Sequence, residues 1–412
     1  MRVTDLFTKT TKNAPADEVA KNAQLLIRAG YVHKEMAGVY AYLPLGKRVL
    51  EKIIQIIREE MNSIGGSEIS LTALQSSDVW KTSGRWDDNV MDVWFKTKLA
   101  NGTELGLAPT HEEPLTRLMK NFIHSYKDLP IYPYQFQIKF RNELRSKSGL
   151  MRGREFWMKD LYSFSRTQQE HDDFYEKVSL AYTKVFERLG LGEFTYKTFA
   201  SGGSFAKFSH EFQTVSPVGE DKIYVHKAKN IAINEEVYTD EVLAELGIKK
   251  DELEEMTAVE TGNIFTLGTR FSDPLELNYT DENGESRPVV MGSYGIGPSR
   301  LMGLIAEHFA DDKGLVWPEA VSPFNVYLVS IGAVATEADA LYDTLTAKGI
   351  EVLYDDRNER PGAKFADAEL LGIPYRVTIS ERLVADNKFE FTPRKTGQSE
   401  LLTAEDLLAK LG

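Results

Sequence analysis

The 412-residue sequence contains no cysteine. That excludes disulfides, thiolate nucleophiles and Cys-ligated zinc together. Histidine is sparse, and none of the seven stands in an HxxxH-type pair, so no metal site held by protein side chains alone is expected. No apolar run approaches the length that spans a bilayer, and no membrane partner is expected. The N-terminal stretch lacks the apolar core of a signal peptide, and Asp5, Asp17 and Glu18 argue against a transit peptide. Internal repeats and low-complexity segments are missing too. Positive charge is in deficit: 49 Lys and Arg face 62 Asp and Glu, a net charge of −13. A non-specific nucleic-acid binder needs a broad basic surface and is disfavoured, whereas a specific one with local patches is not. What is present, 42% hydrophobic and 27% charged residues, suits a cytoplasmic globular enzyme of two or three domains.

The charge is uneven. Between residues 139 and 159, seven basic residues (Lys139, Arg141, Arg145, Lys147, Arg152, Arg154 and Lys159) face only Glu143 and Glu155. Between 235 and 255, acids greatly outnumber Lys249 and Lys250. An anionic partner belongs at the first stretch. That stretch also alternates: Gln135, Gln137, Lys139, Arg141 and Glu143 fall on one side, and Tyr134, Phe136, Ile138 and Phe140 on the other. Period two predicts a half-buried antiparallel strand. After a loop at Gly149, Arg152, Arg154 and Phe156 share one face of a predicted second strand. Arg141, Glu143, Arg152 and Phe156 on one sheet face suit a nucleoside triphosphate, with guanidiniums on phosphate and a ring on the base. A solvated hairpin face is the bland alternative.

Elsewhere, a short amphipathic helix is predicted over 17–29. A long one over 45–64 opens at Pro44, carries an apolar stripe through Val49, Ile53 and Ile57, and stops at Gly65 and Gly66. A strand follows at 68–71, then a hairpin around Asn101-Gly102. Thr110 is a candidate helix N-cap, with Glu113 completing a capping box. Residues 167–189 read as helix and 233–256 as a short, solvated acidic insert. In 289–300 a strand ends at Met291, a glycine run turns the chain, and Pro298 starts a helix with Arg300 in its first turn. That cation opposes the helix dipole, so either it reaches solvent or a bound anion shares the helix end. From 324 the pattern becomes βαβαβ, a separate α/β domain.

Three blocks in this order carry a resemblance. GVYAYLPLGKRVLEKIIQIIREEM (38–61) followed by a strand resembles motif 1 of class II aminoacyl-tRNA synthetases. FRNE (140–143) with RGREF (152–156) resembles motif 2, and GSYGIGPSR (292–300) resembles motif 3. LGLAPTHEE, GLMRGREFWMKDLYSF and DDRNERPGAKFADAELLGIP narrow the match to the bacterial-type prolyl-tRNA synthetase family, over the whole chain.

The resemblance implies an α+β catalytic domain over 1–323, an antiparallel sheet flanked by helices, and an α/β anticodon-binding domain over 324–412. It implies ATP-dependent attachment of proline to tRNA(Pro) through prolyl-adenylate, in a homodimer formed through motif 1. By the same carry-over, Arg141 bridges the proline carboxylate and the α-phosphate, Arg300 holds the γ-phosphate and Arg152 adds a phosphate contact. Phe156 stacks on adenine, Glu143 accepts from the adenine amino group or the tRNA end, and Mg2+ rides on the phosphates near Glu211. Thr110, Glu112, Arg141 and His210 are the expected proline contacts. Strand parity puts Trp157 on the other face from Phe156, so it is expected in the core. Asp355, Arg357, Glu359, Arg360, Lys364 and Phe365 are the expected anticodon readers.

Two departures stand out. Where many relatives carry a large editing domain, about 225–257 is only an acidic stub. A pocket rejects a smaller substrate weakly, since each lost methylene forfeits only roughly 1–3 kcal/mol. Alanine misactivation, with a separate deacylase as partner, is therefore expected. In SGGSFAKFSHEF, Gly202 and Gly203 lie further upstream of Ser209-His210-Glu211-Phe212 than in relatives, and Phe205 and Phe208 intervene. The shape of that loop, and with it the role of His210, stays open. Two alternatives also remain: a non-catalytic paralogue, against which the retained Arg141, Arg152 and Arg300 argue, and a sister enzyme for threonine, serine or glycine.

Overall fold

Alternation at 134–140 does build a strand, the second of a nine-stranded, mostly antiparallel sheet. The computed structural model describes residues 1–144, 148–202 and 208–412. In chain order the sheet contains β1 (Ser67–Glu68), β2 (Pro133–Phe140), β3 (Glu155–Ser165), β4 (Thr195–Ser201) and β5 (Phe208–Val215), then β6 (Asp221–His226), β7 (Ile231–Asn234), β8 (Glu254–Gly268) and β9 (Val290–Ile296). Its spatial order is β5-β4-β7-β6-β8-β9-β3-β2-β1, with β5 also pairing β8. β1–β2 and β4–β7 run parallel. Helices α1 (Glu112–Met119), α2 (Gln168–Arg188), α3 (Asp240–Leu246) and α4 (Pro298–His308) flank it.

Helix α2 covers one sheet face. Its Phe174 meets Tyr294 edge-on, its Tyr175 hydroxyl donates to the Ile264 carbonyl at 3.1 Å, and its Tyr182 hydroxyl takes the Lys159 ammonium. The face so covered carries Lys159, Leu161 and Ser163 of β3. Gln135, Lys139, Asp160 and Tyr162 point the other way, because adjacent strand residues alternate.

Three expectations need correction. The acidic stretch is not simply a solvated stub: β6 and β7 join the sheet, and Ile233 packs with Leu243 and Ile248. The apolar pairs Ile223/Val225 and Ala232/Ile233 outweigh the acids around them, since strands need only a few buried positions. The glycines of 292–295 do not turn the chain; β9 runs through them to Ile296. At Gly292 a Cβ would come within 2.4 Å of the Tyr294 hydroxyl and 2.6 Å of His171, so close packing on the α2 face, and not a turn, accounts for the residue. Arg152 and Arg154 precede β3: a 3₁₀ turn occupies Gly149–Met151 and the strand begins at Glu155.

The chain forms two compact units. One comprises Ile54–Ser148 and Arg152–Leu301 and holds the large sheet. The other comprises Met1–Ile53, Gly149–Met151 and Met302–Gly412. Its sheet runs β11 (Val352–Asp355), β10 (Val326–Ile331), β12 (Tyr375–Ser380), β13 (Phe389–Pro393), β14 (Glu400–Leu402), with α5 (Ala335–Ala347) and α6 (Pro361–Leu371) as the βαβαβ crossovers. Arg2 bridges Tyr354 in parallel, and the Thr4 hydroxyl donates to Asp356 at 2.6 Å, so the N-terminal residues extend this sheet beyond β11. A boundary at 323/324 follows chain order; the compact units do not, because this strap groups residues 1–53 with the C-terminal fold.

Candidate active site

Register fixes the site's floor. Gln135 lies opposite Asp160, Gln137 opposite Met158, and Lys139 opposite Phe156. The polar side of the alternating stretch is therefore buried instead of solvated: Gln135 is 1% exposed and Lys139 0%. One carboxylate oxygen, Asp160 Oδ2, accepts from Gln135 Nε2 at 3.0 Å, Lys139 Nζ at 2.9 Å and the Tyr162 hydroxyl at 3.1 Å. Lys139 Nζ also donates to His111 Nδ1 at 2.6 Å, which leaves His111 Nε2 to donate to the Thr72 carbonyl at 3.1 Å. Burial, then the Lys139 charge, pushes His111 down to about 4, so the ring is neutral. This buried network, in which Asp160 Oδ1 alone accepts no hydrogen bond among the described residues, fixes the start of α1.

On that start sit Thr110 and Glu112. The Thr110 hydroxyl donates to Glu112 Oε2 at 2.6 Å and lies 3.4 Å from the Tyr162 hydroxyl. It does not cap the helix: His111 occupies the N-cap position without a side-chain cap bond, and no capping box to Glu113 forms. Glu113 is instead fully buried, accepting from Ser83 Oγ at 2.7 Å and from Arg85. From β9, Ser293 Oγ donates to Glu112 Oε1 at 3.4 Å. Burial alone would raise the Glu112 carboxyl, but Arg85 and the Thr110 hydroxyl outweigh it and hold it below the ordinary value. A buried, ionised carboxylate flanked by two hydroxyls is suited to an ammonium.

Arg141 follows the end of β2. Its Nε donates to the Pro109 carbonyl at 3.3 Å, and its guanidinium carbon lies 5.4 Å from the Phe156 ring centre. Burial and the neighbouring Arg300 lower its pKa, against the pull of Glu260, Glu112 and Glu143. Arg300, in the first turn of α4, donates to the Glu260 carbonyl and sits 3.6 Å from Glu260 Oε2. A carboxylate of the chain thus shares that helix end. Arg152 Nε donates to Glu143 Oε2 at 3.3 Å, and its terminal nitrogen pairs with Glu220. Glu211 Oε2 accepts from Gln213 Nε2 at 2.9 Å and Asn234 Nδ2 at 3.2 Å. Burial and the Glu260 charge push Glu211 up to about 7. Among the described residues, no group of three or more His, Cys, Asp or Glu is placed to hold a metal ion.

The structure brings Arg141, Glu211 and Arg300 together at Glu260, and Arg141 in turn lies near Phe156, Glu143 and the Thr110–Glu112 pair. His210 is not among them. Since Glu211 faces the site, its neighbour faces away: His210 Nδ1 meets the Tyr175 hydroxyl of α2 at 2.8 Å and packs 4.7 Å from the Phe199 ring. Burial takes its pKa down to about 3. Trp157 also alternates away from Phe156 and is half-buried, its backbone N–H donating to Ser299 Oγ at 3.1 Å. Arg145, Lys147, Gly203 and Phe205 lie outside the described residues.

Sequence reasoning missed Arg85, Tyr162, Ser293 and Glu260. Each joins the site through a contact between segments distant along the chain. Only a polar residue interrupting an apolar strand, as Asp160 does, signalled anything.

In the second unit, Asp355 is fully buried. It accepts from the Tyr327 hydroxyl at 2.8 Å and from Arg357 at 2.8 and 2.6 Å. Arg357 also pairs with Asp367 at 2.7 Å. Burial lowers the Lys364 pKa, and its ammonium donates to the Ser330 and Asp355 carbonyls at 2.9 and 3.0 Å. These three residues shape the β11–α6 corner from inside. Glu359 and Arg360 remain exposed on it, and Phe365 lies under Arg376 at 4.5 Å.

Two family descriptions match the chain. "tRNA synthetase class II core domain (G, H, P, S and T)" covers residues 95–309, and "Anticodon binding domain" covers 325–412. The chain is 38% identical to the proline–tRNA ligase of Hyphomonas neptunium over 440 aligned positions, spanning 100% of this chain and 99% of that protein. It is also 38% identical to the proline–tRNA ligase of Rhodopseudomonas palustris, spanning 100% of both. Among solved structures, Giardia lamblia prolyl-tRNA synthetase in complex with prolyl-adenylate shares the fold at a TM-score of 0.77 and 20% identity, over 93% of this chain and 74% of that one.

Proposed function

The chain belongs to the proline–tRNA ligase family of class II aminoacyl-tRNA synthetases, and we propose how its own residues carry out that family's reaction. It attaches proline to tRNA in two steps, the first of which consumes ATP. A proline carboxylate oxygen attacks the α-phosphorus of ATP, giving prolyl-adenylate and releasing pyrophosphate. The terminal ribose hydroxyl of tRNA then takes the prolyl group and AMP leaves. In-line displacement at phosphorus asks chiefly for positioning and charge neutralisation.

The observation that supports the assignment of residues best is the Glu112 carboxylate, ionised although buried, between the Thr110 and Ser293 hydroxyls. Proline's secondary ammonium has two N–H donors, and Glu112 Oε1 with Thr110 Oγ1 offers two acceptors. Arg141, between Glu112 and Arg300, bridges the proline carboxylate and the α-phosphate. Arg300 leaves Glu260 for the γ-phosphate, Arg152 adds a phosphate contact, and Phe156 stacks on adenine with Glu143 at its amino group. Mg2+ fits this donor set only as a phosphate-borne ion: Glu211 and Glu260 would hold it, where burial and then the Glu260 charge already push Glu211 up to about 7. Its contribution is to neutralise phosphate charge. The homodimer through motif 1, the cytoplasmic location, readout of the tRNA(Pro) anticodon at Glu359, Arg360 and the neighbouring corner, and a separate deacylase for alanyl-tRNA belong to the same reading. Support for the last is that 221–257 is spent on sheet strands and one short helix.

The test is amino-acid-dependent ATP–pyrophosphate exchange with proline, alanine, threonine and glycine. Exchange is expected with proline and, more weakly, with alanine. Arg141→Ala should reduce it by about 100-fold or more, the usual cost of deleting one donor to a developing phosphorane charge. Undiminished exchange in Arg141→Ala would remove that residue from the site. No exchange with proline in a folded protein would overturn the whole reading.

A further inference from the structure

A single guanidinium nitrogen, Arg85 Nη1, touches two buried carboxylates. It lies 3.1 Å from both oxygens of Glu113 and 3.4 Å from Glu112 Oε2. Arg85 belongs to neither the predicted proline nor the predicted ATP contacts. It follows the short helix Ser77–Thr82, and Trp80 and Phe271 bracket its guanidinium carbon at 5.2 and 5.3 Å. Its side chain is 17% exposed, that of Glu112 11% and that of Glu113 0%.

Arg85, Glu112 and Glu113 thus form a buried cluster of three ionisable groups. With both carboxylates ionised the cluster carries −1, so one further monocation makes it neutral; burial raises the penalty for leaving it charged. Glu112 has an oxygen, Oε1, that only the Ser293 hydroxyl approaches among the described contacts, at 3.4 Å. Arg85 is a rival for Glu112, because it is a permanent cation within reach. What restrains the rival is Glu113, which takes two of its contacts and is itself fixed by Ser83 Oγ at 2.7 Å.

We propose that Glu113 is a positioning residue that holds Arg85 aside, so that Glu112 is left to the substrate ammonium. The inference rests on the assignment of Glu112 to proline made above, and it adds a control on affinity to that assignment. When Glu113 loses its charge, Arg85 moves onto Glu112, neutralises it, and competes with proline. The other charged groups facing the cluster are Arg270, which also draws on Glu112 and Glu113, and Asp160 beneath Glu112. Arg270 and Arg85 repel each other, which disfavours a shift of Arg85 toward Arg270. Burial first, relieved by Arg85 and aggravated by Glu112, pushes Glu113 up to about 7, so its charge changes near neutrality. Proline affinity should therefore weaken as pH falls below 7.

The experiment is proline-dependent ATP–pyrophosphate exchange on the full chain, with KM for proline, KM for ATP and kcat measured between pH 6 and 8.5. Glu113→Gln should raise the proline KM at pH 8 by about 10-fold, the worth of a charge-assisted hydrogen bond, with kcat and the ATP KM within about 2-fold. It should also flatten the pH dependence of the proline KM. The double variant Arg85→Met with Glu113→Gln removes the rival together with its restraint; because Arg85 also helps keep Glu112 ionised, most of the lost affinity should return at pH 8.5 and fade again as the pH falls. Merely structural roles would instead worsen all three constants additively. If Glu113→Gln does not fold, Ser83→Ala, which frees Glu113 from its hydroxyl partner, should shift the proline KM in the same direction by a smaller factor. Unchanged proline KM in Glu113→Gln, or an additive double variant, would overturn the inference while wild-type exchange keeps the activity standing. Absence of wild-type exchange would overturn both.

Discussion

At the scale of single residues, the site works by deciding which buried groups keep their charge. Glu112 is held below the ordinary carboxyl value because Arg85 outweighs its burial, whereas burial and then the Glu260 charge push Glu211 up to about 7. The difference has a consequence for stability. A carboxyl raised to about 7 from the ordinary 4.5 binds, in the folded protein, a proton that the unfolded chain has already released. Glu211 therefore costs stability as pH rises between those values. Glu211→Gln should stabilise the protein at pH 8 by about 1–2 kcal/mol, discounted for its partial exposure, and should have little effect at pH 4. Denaturant midpoints at the two pH values check this; equal shifts at both would show that the proton is not held. Lys139 presents the opposite case. Its ammonium pairs with Asp160 Oδ2 in the interior, so Lys139→Met leaves Asp160 uncompensated and should cost about 3–5 kcal/mol, read as a fall in the urea midpoint. Loss of less than about 1 kcal/mol would mean that Asp160 simply takes up a proton.

At the scale of elements, strand parity sorts the chemistry. Glu211 and His210 are neighbours in β5, yet one faces the site and the other the Tyr175 hydroxyl of α2. The same rule places Phe156 in the site and Trp157 behind it. β9 shows what close packing asks of a strand. A methyl at Gly292 would meet Tyr294, His171 and Ser163 side chains within 2.8 Å. Gly292→Ala should therefore push β9 away from α2, destabilising by about 1–3 kcal/mol and weakening exchange, since Ser293 reaches Glu112 from the same strand. Thermal unfolding and the proline KM measured together test this. A full-strength KM with a lowered Tm would separate packing from function.

At the scale of the whole molecule, the residues proposed for activation and those proposed for anticodon reading lie in different compact units. The first holds Arg141, Glu112 and Arg300; the second holds the β11–α6 corner with Glu359 and Arg360 exposed. Arg360→Ala should then raise the KM for tRNA(Pro) in aminoacylation by about 10-fold or more, as loss of a bidentate base contact does, and leave ATP–pyrophosphate exchange unchanged. Equal loss in both assays would place Arg360 in the fold rather than at the anticodon. Arg357 and Lys364 are poor choices for this test, because both are tied to the Asp355 network and their loss would disturb the corner itself.

How far the sequence alone reaches follows from what each signal is made of. Periodicity along the chain determined the strand at 133–140, the long helices, the hairpin around Asn101-Gly102 and the βαβαβ pattern after 324, since these depend on local spacing. Motif blocks likewise marked Thr110, Glu112, Arg141 and Arg300. Burial of a polar face is not local. Gln135 and Lys139 look solvated in sequence, and only the pairing with β3 and the position of α1 put Asp160 and His111 where they satisfy both. Acidic composition hid β6 and β7 for the same reason: a few apolar residues matter once a sheet edge exists to receive them. Arg85, Glu260 and Ser293 became visible only through tertiary contact, because an ion pair between residues 28 positions apart, as at Arg85 and Glu113, leaves no trace in spacing. The local chain decided which residues carry charge; the tertiary fold decided which of those charges survive burial, and that selection is what makes the site.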